Sequence, residues 1–448
     1  MSQLSYDITS AKSIHEYSSR LIGKTLEEAV GEYNLDDATN KGKLGTLVEE
    51  YFFQYSPGSN KDHEPDFAAA GVELKVTGVT RKPKHGPNEA PFKAKERLVL
   101  TMINYYGLAD ESWDTSSFLK KCRLMLILFY LYEKHLPAPQ RKFVLSPVLW
   151  EFPASDLIII RRDWETIQQK ILDGEAHELS EGDTFYLAAC RKGSGGAHEP
   201  LRGQPFSAIG AKSRAFSLKP SYVNTIISAS HQEASLLSTE RDAQAGIENM
   251  VLRKFQNLQG RTVPEIASLF NHPPNVNNAK NYLSGLSLRV LGTEKRYLPE
   301  FLKAGIVLKT IRLKQNGTPK ESISFPTMNF IETAEQQWEE STFFEKIEQK
   351  ILFVIYQYDD DNTLRFKRVM FWNMPYGDRL EAQKVWSRTV DVINNGNMSK
   401  LPKSSQSSVA HVRPHGKNKT DTLPLPNGGE YTKQCFWLNQ KYIADQVR

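Results

Sequence analysis

Glu49, Asp66, Glu73 and Lys75 are the residues whose types and spacing most plainly suggest chemistry. The string Val72-Glu-Leu-Lys75 reads as a strand, so Glu73 and Lys75 share one face while Leu74 turns to the opposite, core side. Asp66 stands seven residues before Glu73, after a Pro-Asp turn. Glu49 lies on a preceding helix whose start, Lys41-Gly-Lys-Leu-Gly45, allows close approach to the sheet or to a ligand. Carboxylates so placed suit a hard cation: Mg²⁺ takes one or two of them together with carbonyl oxygens, waters and substrate phosphate oxygens. A neighbouring lysine can hold or help deprotonate an attacking water and offset charge developing on phosphorus.

An isolated Asp-x6-Glu-x-Lys string also describes an ordinary surface strand with an ion pair, so the elements around it matter. Residues 12–33 and 43–55 carry helical apolar spacing, and Gly23-Lys-Thr-Leu-Glu-Glu28 reads as a capped helix start. Residues 71–79 alternate as a strand, and 98–105 do so less cleanly. Residues 113–134 read as a helix leading into a buried strand, 145–161 as strand, turn and strand, and 162–173 as a helix. The expected class is α/β (α+β), a mixed sheet flanked by helices.

An internal repeat organises the chain. Gly23-Lys-Thr-Leu-Glu-Glu-Ala-Val-Gly-Glu-Tyr-Asn34 returns as Gly260-Arg-Thr-Val-Pro-Glu-Ile-Ala-Ser-Leu-Phe-Asn271, and Pro65-Asp-Phe-Ala-Ala-Ala-Gly-Val-Glu-Leu-Lys75 as Pro299-Glu-Phe-Leu-Lys-Ala-Gly-Ile-Val-Leu-Lys309. Trp113, Lys121, Trp150, Asp156, Trp164 and Gly174 find partners in Trp338, Lys346, Trp372, Asp378, Trp386 and Gly396. Phe216-Ser-Leu218 and Tyr222 match Phe436-Trp-Leu438 and Tyr442. Two domains of one fold are expected, 1–232 and 233–448, joined near the polar stretch at 228–235. In the second copy the scaffold persists but the acids do not: Asp66 becomes Glu300, Glu73 becomes Val307, and the place of Glu49 falls near Leu288. That is the pattern of one active and one inactive copy.

Composition agrees with two ordinary globular domains: 448 residues, 40% hydrophobic and 24% charged, which excludes disordered, collagenous and disulfide-stapled classes. Three distant cysteines without a CxxC pair argue against a disulfide framework or structural zinc. The start shows no basic segment followed by an apolar one, and the longest apolar run, 124–132, is too short to span a bilayer, so a cytoplasmic protein is expected. Residues 1–230 hold 28 basic and 29 acidic side chains, whereas 231–448 hold 29 and 23, so the excess positive charge belongs to the half without the carboxylates. A basic half suggests a polyanionic partner.

Lys41-Gly-x-x-Gly-x-Leu-Val-Glu49, Pro65-Asp-Phe67 and Gly71-Val-Glu-Leu-Lys75 resemble the core of the MutH mismatch-repair nicking endonucleases, within the PD-(D/E)xK nuclease superfamily. The resemblance continues through Trp113, Lys121, Arg191 and Arg214-Ala-Phe-Ser-Leu-Lys219, covering most of the first copy. Two tandem copies, the second degenerate, are similar to the GATC-cleaving type II restriction enzymes related to MutH. The resemblance implies Asp66, Glu73 and the Leu74 carbonyl as Mg²⁺ ligands, with Glu49 completing the acidic cluster. Lys75 would position the water, and Lys41 would contact that water or the scissile phosphate. Lys121 would approach the phosphate, although its retention as Lys346 makes a general DNA or folding role an equal alternative. Base reading would come from Cys190-Arg-Lys-Gly-Ser-Gly-Gly196, with Arg191 on a guanine edge and Lys192 beside it. Lys212, Arg214 and Lys219 would contact phosphates. Arg413, Lys417 and Lys419, in the counterpart loop Val412-Arg-Pro-His-Gly-Lys-Asn-Lys419, would bind DNA from the second copy. Lys192-Gly193 and Ser217 depart from the MutH pattern, which touches the target sequence more than the hydrolysis. The partners implied are double-stranded DNA, a second chain paired on DNA, and a DNA methyltransferase of the same system that need not touch this protein. A MutH-like repair nickase and a catalytically silent DNA-binding protein are the alternatives.

Overall fold

The computed structural model describes residues 4–31, 43–55, 64–83, 90–193, 199–229, 244, 246–274, 281–293 and 298–448. Lys41, residues 194–196 of the expected base-reading loop and the boundary between 232 and 233 lie outside the described residues.

The first copy contributes β1 (Glu73–Arg81), β2 (Phe92–Ala94), β3 (Leu98–Met102), β4 (Leu124–Leu131), β5 (Val148–Glu151), β6 (Leu187–Arg191), β7 (Arg202–Gln204), β8 (Ser207–Ala211) and β9 (Arg214–Leu218). A mixed sheet runs β2-β1-β4-β5, and a separate antiparallel sheet runs β3-β9-β6. Strands β1 and β4 are parallel, with Glu73 opposite Met125 and Lys75 opposite Ile127. Because β4 is covered on both faces, its sequence is a continuous apolar run rather than an alternating one. Met125, Ile127 and Phe129 enter one core, while Leu126 and Leu128 enter another with Val48, Phe52, Phe67 and Leu74.

The second copy repeats this plan with β10 (Val307–Leu313), β11 (Ile323–Thr327), β12 (Ile351–Tyr358), β13 (Leu364–Trp372), β14 (Ala410–Pro414), β15 (Thr422–Pro424), β16 (Glu430–Thr432) and β17 (Gln434–Leu438). Its sheets run β10-β12-β13 and β11-β17-β14. Strands β10 and β12 are parallel with Val307 opposite Ile351, the counterpart of Glu73 opposite Met125. The matched residues make matched contacts. Trp113 meets Trp164 at 5.8 Å and Trp338 meets Trp386 at 5.6 Å. The Tyr222 hydroxyl donates to Asp156 at 2.8 Å, as Tyr442 does to Asp378 at 2.8 Å. Thr25 and Glu28 form a capping box that Thr262 and Glu265 repeat.

The copies share a continuous core: Tyr222, Ile226 and Ile227 of the first belong to the same buried cluster as Phe301, Ala304 and Val354 of the second. The Lys303 ammonium crosses between them to both oxygens of the buried Asp156, at 2.8 Å each.

Two local expectations change. Residues 12–33 break into a helix Ala11–Ser18, a 3-10 turn Ser19–Leu21 and a helix Leu26–Val30, because Gly23, at φ +76°, turns the chain between them. A second strand was expected before Arg161, but a helix Ala154–Leu172 begins directly after Pro153. Four consecutive branched residues, Leu157-Ile-Ile-Ile160, read as a strand by themselves. The longer spacing of Ile160, Trp164, Ile167 and Ile171 puts all four on one buried helical face.

Candidate active site

A tight reversal brings the acids together. Phe67 and Val72 exchange backbone hydrogen bonds of 2.9 and 3.2 Å around the 3-10 turn Ala68–Ala70, and Gly71 closes it at φ +66°, a conformation that favours glycine. Asp66 and Glu73 therefore lie side by side despite the six residues between them. The Asp66 amide donates to Glu73 Oε2 at 3.2 Å, and the Leu74 amide donates to Asp66 Oδ2 at 2.8 Å. Glu73 is 2% exposed, and Leu74 packs into the core as the alternation requires.

Lys75 donates from Nζ to Glu73 Oε1 at 2.7 Å and to the Leu100 carbonyl at 2.7 Å. An ammonium has three N–H donors, so one remains for a group in the cleft. Lys121 Nζ lies 3.6 Å from the same Glu73 oxygen. Its counterpart Lys346 pairs instead with the neighbouring Glu345 at 2.9 Å. The retained lysine thus has an active-site geometry only where the carboxylates survive.

Glu49 is carried by a helix, Lys43–Leu47, that widens into a π-helix, Val48–Phe52, a feature common at functional sites. Burial, then the charges of Asp66 and Glu73, push its carboxyl up to about 7. Burial also raises the Glu73 carboxyl, opposed by Lys75. Burial works against the Lys75 ammonium, yet Glu73 holds it above its ordinary range. Glu73 and Lys75 line a cleft of about 720 Å³, whose walls also include Asn104, Glu111, Lys121 and Lys192.

The donor set is all oxygen, as Mg²⁺ requires. Among the described residues no three acidic, histidine or cysteine side chains are grouped to hold a metal, but Mg²⁺ needs only one or two carboxylates and fills its shell with carbonyls and water. Asp66 and Glu73 fit that demand.

The second copy keeps a carboxylate at the first acidic position, as Glu300, but not at the second. Val307 stands where Glu73 does, and burial without a compensating charge pulls the Lys309 ammonium below its usual range. A cleft of about 880 Å³ is lined by Val307 and Leu288, at the places of Glu73 and Glu49, and a separate cavity of about 80 Å³ lies between Phe325, Asn329, Ser341 and Phe436. Phe343 stacked on Phe436 at 4.1 Å borders it.

The basic residues divide in ways their types did not indicate. Lys192 is exposed on the cleft. Arg191 is gripped by Glu199 at 2.8 Å and by Glu339 of the second copy, and Lys212 reaches the same Glu339 oxygen at 3.2 Å. Arg214 and Lys219, expected on phosphates, are instead buried. Arg214 donates to the carbonyls of Ala189 and Leu179, and Lys219 donates to the Thr184 carbonyl at 2.6 Å. Arg214 serves the interior because β9 is the central strand of its sheet, and Lys219 follows directly after that strand. Arg413, Lys417 and Lys419 are exposed, and Arg413 lies 3.7 Å from the centre of the Trp437 ring.

Strand pairing corrects one correspondence. With Leu218 and Leu438 as equivalent anchors, Cys190 opposite Ala215 matches Arg413 opposite Cys435, and Arg191 matches Pro414. Arg413 is therefore one register position away from Arg191, on the other face of its strand. Glu339 and Glu199, the partners of Arg191, carried no signal in the sequence: each is an ordinary acid until the fold brings it to the arginine.

A family model described as DNA mismatch repair enzyme MutH matches twice, over residues 53–163 and 292–382, once in each copy. The chain is 32% identical to the type II restriction enzyme Sau3AI of Staphylococcus aureus, across 97% of this chain and 98% of that protein. It is 26% identical to the DNA mismatch repair protein MutH of Serratia proteamaculans (strain 568), over 48% of this chain and 91% of the relative. It is 28% identical to the MutH of Shewanella woodyi, over 38% of this chain and 71% of the relative. The shorter relatives thus correspond to part of this chain, whereas the restriction enzyme is matched from end to end. The chain belongs to the MutH-like family of type II restriction endonucleases.

Proposed function

We propose that the chain is a Mg²⁺-dependent, site-specific DNA endonuclease in which the first copy cuts and the second binds DNA without cutting. One observation carries the reading: a single scaffold, built twice, keeps Asp66 and Glu73 beside Lys75 in one copy and has Glu300 and Val307 in their places in the other.

Asp66, Glu73 and the Leu74 carbonyl, with Glu49, would hold Mg²⁺, which supplies a Lewis acid for the phosphate and for the attacking water. Lys75, fixed by Glu73 and Leu100, would aim its remaining N–H at that water and steady charge developing on phosphorus. Lys121, 3.6 Å from the same Glu73 oxygen, would face the phosphate too, and Lys41, outside the described residues, would join them. Arg191 and Lys192 would read base edges from the end of β6, and Lys212 would hold the backbone. Arg413, Lys417 and Lys419 form the exposed basic stretch of the second copy and would be its DNA contacts. Arg214 and Lys219 are assigned structural roles instead.

The proposed target is GATC, on the strength of the family. With one cutting site per chain, double-strand cleavage would use two chains paired on DNA, and a methyltransferase would protect host sites in the cytoplasm. No helix among the described residues is long and apolar enough to cross a membrane.

Plasmid incubated with Mg²⁺ tests the reading: linear fragments are expected, whose sequenced ends give site and cut position. Nicked circles alone would favour a repair nickase, and no product a silent DNA-binding protein. Glu73→Ala and Lys75→Ala should each abolish cleavage while leaving DNA retardation in a gel intact. Cleavage that survives either change would remove these residues from the active site.

A further inference from the structure

The four most exposed large apolar side chains among the described residues are Phe206, at 75%, and Leu201, Ile209 and Tyr106, at 57% each. Leu201, Phe206 and Ile209 lie on or beside the β7–β8 hairpin, and Tyr106 on the helix Tyr105–Asp110 that packs on it. Such a concentration marks an interaction site rather than the scattered apolar residues of an ordinary surface. The hairpin is held firmly. Gln204, 3% exposed, accepts from the Ala176 amide at 2.8 Å and donates to the Ile209 carbonyl at 2.6 Å. Phe206 stands at the tip at φ +61°, a conformation that favours glycine, and a Cβ on Gly174 would meet its carbonyl at 2.8 Å. Two further glycines let side chains lie close over the hairpin. A Cβ on Gly203 would come within 3.1 Å of the Tyr106 hydroxyl, and one on Gly210 within 2.8 Å of Leu201 Cβ. Apolar side chains displayed on a rigid element lose little freedom when a partner covers them.

The repeat supplies a control. In the second copy the equivalent hairpin, β15–β16, turns its apolar side chains Leu423 and Tyr431 onto the second core. The stretch leading into that hairpin is basic, with His415, Lys417 and Lys419. The first hairpin is the reverse: residues 200–211 hold a single charged side chain, Arg202. A nucleic-acid surface draws on several cations, even where apolar wedges enter the duplex. An apolar face with one charge suits protein instead, and a copy of itself can meet it with little like-charge repulsion.

We propose that the β7–β8 hairpin and the helix Tyr105–Asp110 form the surface through which two chains pair on DNA, each covering the other's Tyr106, Leu201, Phe206 and Ile209. The proposal rests on the reading that two chains, each with one cutting site, act together on both strands. The helix supplies the reason for this place. Its Gly107 and Leu108 line the cleft that holds Glu73 and Lys75, while its Tyr106 meets the hairpin, so a contact here sets the two clefts next to each other. A surface that pairs with its own copy does so about a two-fold axis. A two-fold pair in turn matches a target that reads the same on both strands, as the proposed GATC does.

The test uses the full chain carrying Lys75→Ala, which prevents cutting, and a short duplex with one target site as read from the sequenced fragment ends. Sedimentation velocity at protein excess should give two chains per duplex. Phe206→Asn with Ile209→Thr, added to that chain, keeps residues suited to a left-handed tip and to a strand. The double variant should weaken the pair about tenfold or more, leaving one chain per duplex, with an unchanged melting temperature because both side chains are exposed. Two chains per duplex in both proteins would overturn the surface and leave the pairing standing. One chain per duplex before the change would overturn the pairing and the surface with it. Loss of all DNA retardation in the double variant would make the hairpin a DNA contact, and a lowered melting temperature would give these side chains to the fold; either result overturns the proposal.

Discussion

Glu49 shows how far one side chain's chemistry depends on its neighbours. Its carboxyl, ordinarily near 4.5, is pushed up to about 7 first by burial and then by Asp66 and Glu73. Between those values the folded chain keeps a proton that the unfolded chain releases, so the native state binds more protons and stability falls as pH rises. The cation-free protein should therefore lose stability from about pH 4.5 to 7 and level off above. Glu49→Gln cannot ionise, so it should match wild type at the acid end and melt at a higher temperature above pH 7. Melting curves across that range check this, and identical profiles would remove Glu49 from the acidic cluster. Cation affinity should run the other way, rising through the same window as the ligand ionises. The identity of these acids was legible in the sequence, since strand alternation fixes which of Glu73, Leu74 and Lys75 share a face. The displaced pKa was not legible, because it arises from burial and from the charges of Asp66 and Glu73.

At the scale of elements, the reversal at 67–72 and the π-helix after Leu47 deliver acids separated in sequence to one point. Gly71 turns the reversal at φ +66°, and a Cβ there would meet no atom within 4 Å. Gly71→Ala is therefore a backbone perturbation alone, costing roughly 1–2 kcal/mol. It should lower the melting temperature by a few degrees and, by shifting Asp66 against Glu73, weaken cleavage and the binding of Mn²⁺, a spectroscopically visible substitute for Mg²⁺. Gly305, at φ +64°, is its counterpart in the second copy. Gly305→Ala, whose Cβ would also come within 3.1 Å of the Ser221 hydroxyl, should lower stability at least as much and leave Mn²⁺ binding untouched. Equal effects on Mn²⁺ binding from the two changes would show that the reversal does not position the site. The glycines and the capping boxes were readable from the repeat. The π-helix was not, because its period differs from an ordinary helix by a fraction of a residue.

In the whole molecule, the two copies meet over a shared core and at ion pairs, of which Glu339 is the most consequential. Its carboxylate occupies Arg191 and Lys212, the residues expected to face DNA, and although burial opposes it, their charges hold its pKa below the usual range. Glu339→Gln should release both cations. In a Lys75→Ala background, which prevents cutting, DNA affinity measured by fluorescence anisotropy should rise severalfold, with a small loss of melting temperature. Weaker DNA binding would mean that Glu339 orients the two cations for DNA rather than occupying them.

The amino-acid order alone determined that the fold is built twice and that only one copy keeps Asp66 and Glu73, because such patterns are local: spacing along a strand, a turn before it, and a tryptophan in the same place each time. Tertiary structure alone decided which cations face outward. Arg214 and Lys219 turn to interior carbonyls, Arg191 and Lys212 to an acid in the other copy, and Arg413 to a half-buried indole. A long charged side chain goes wherever distant elements leave it a partner, and that partner can lie more than a hundred residues away in the chain.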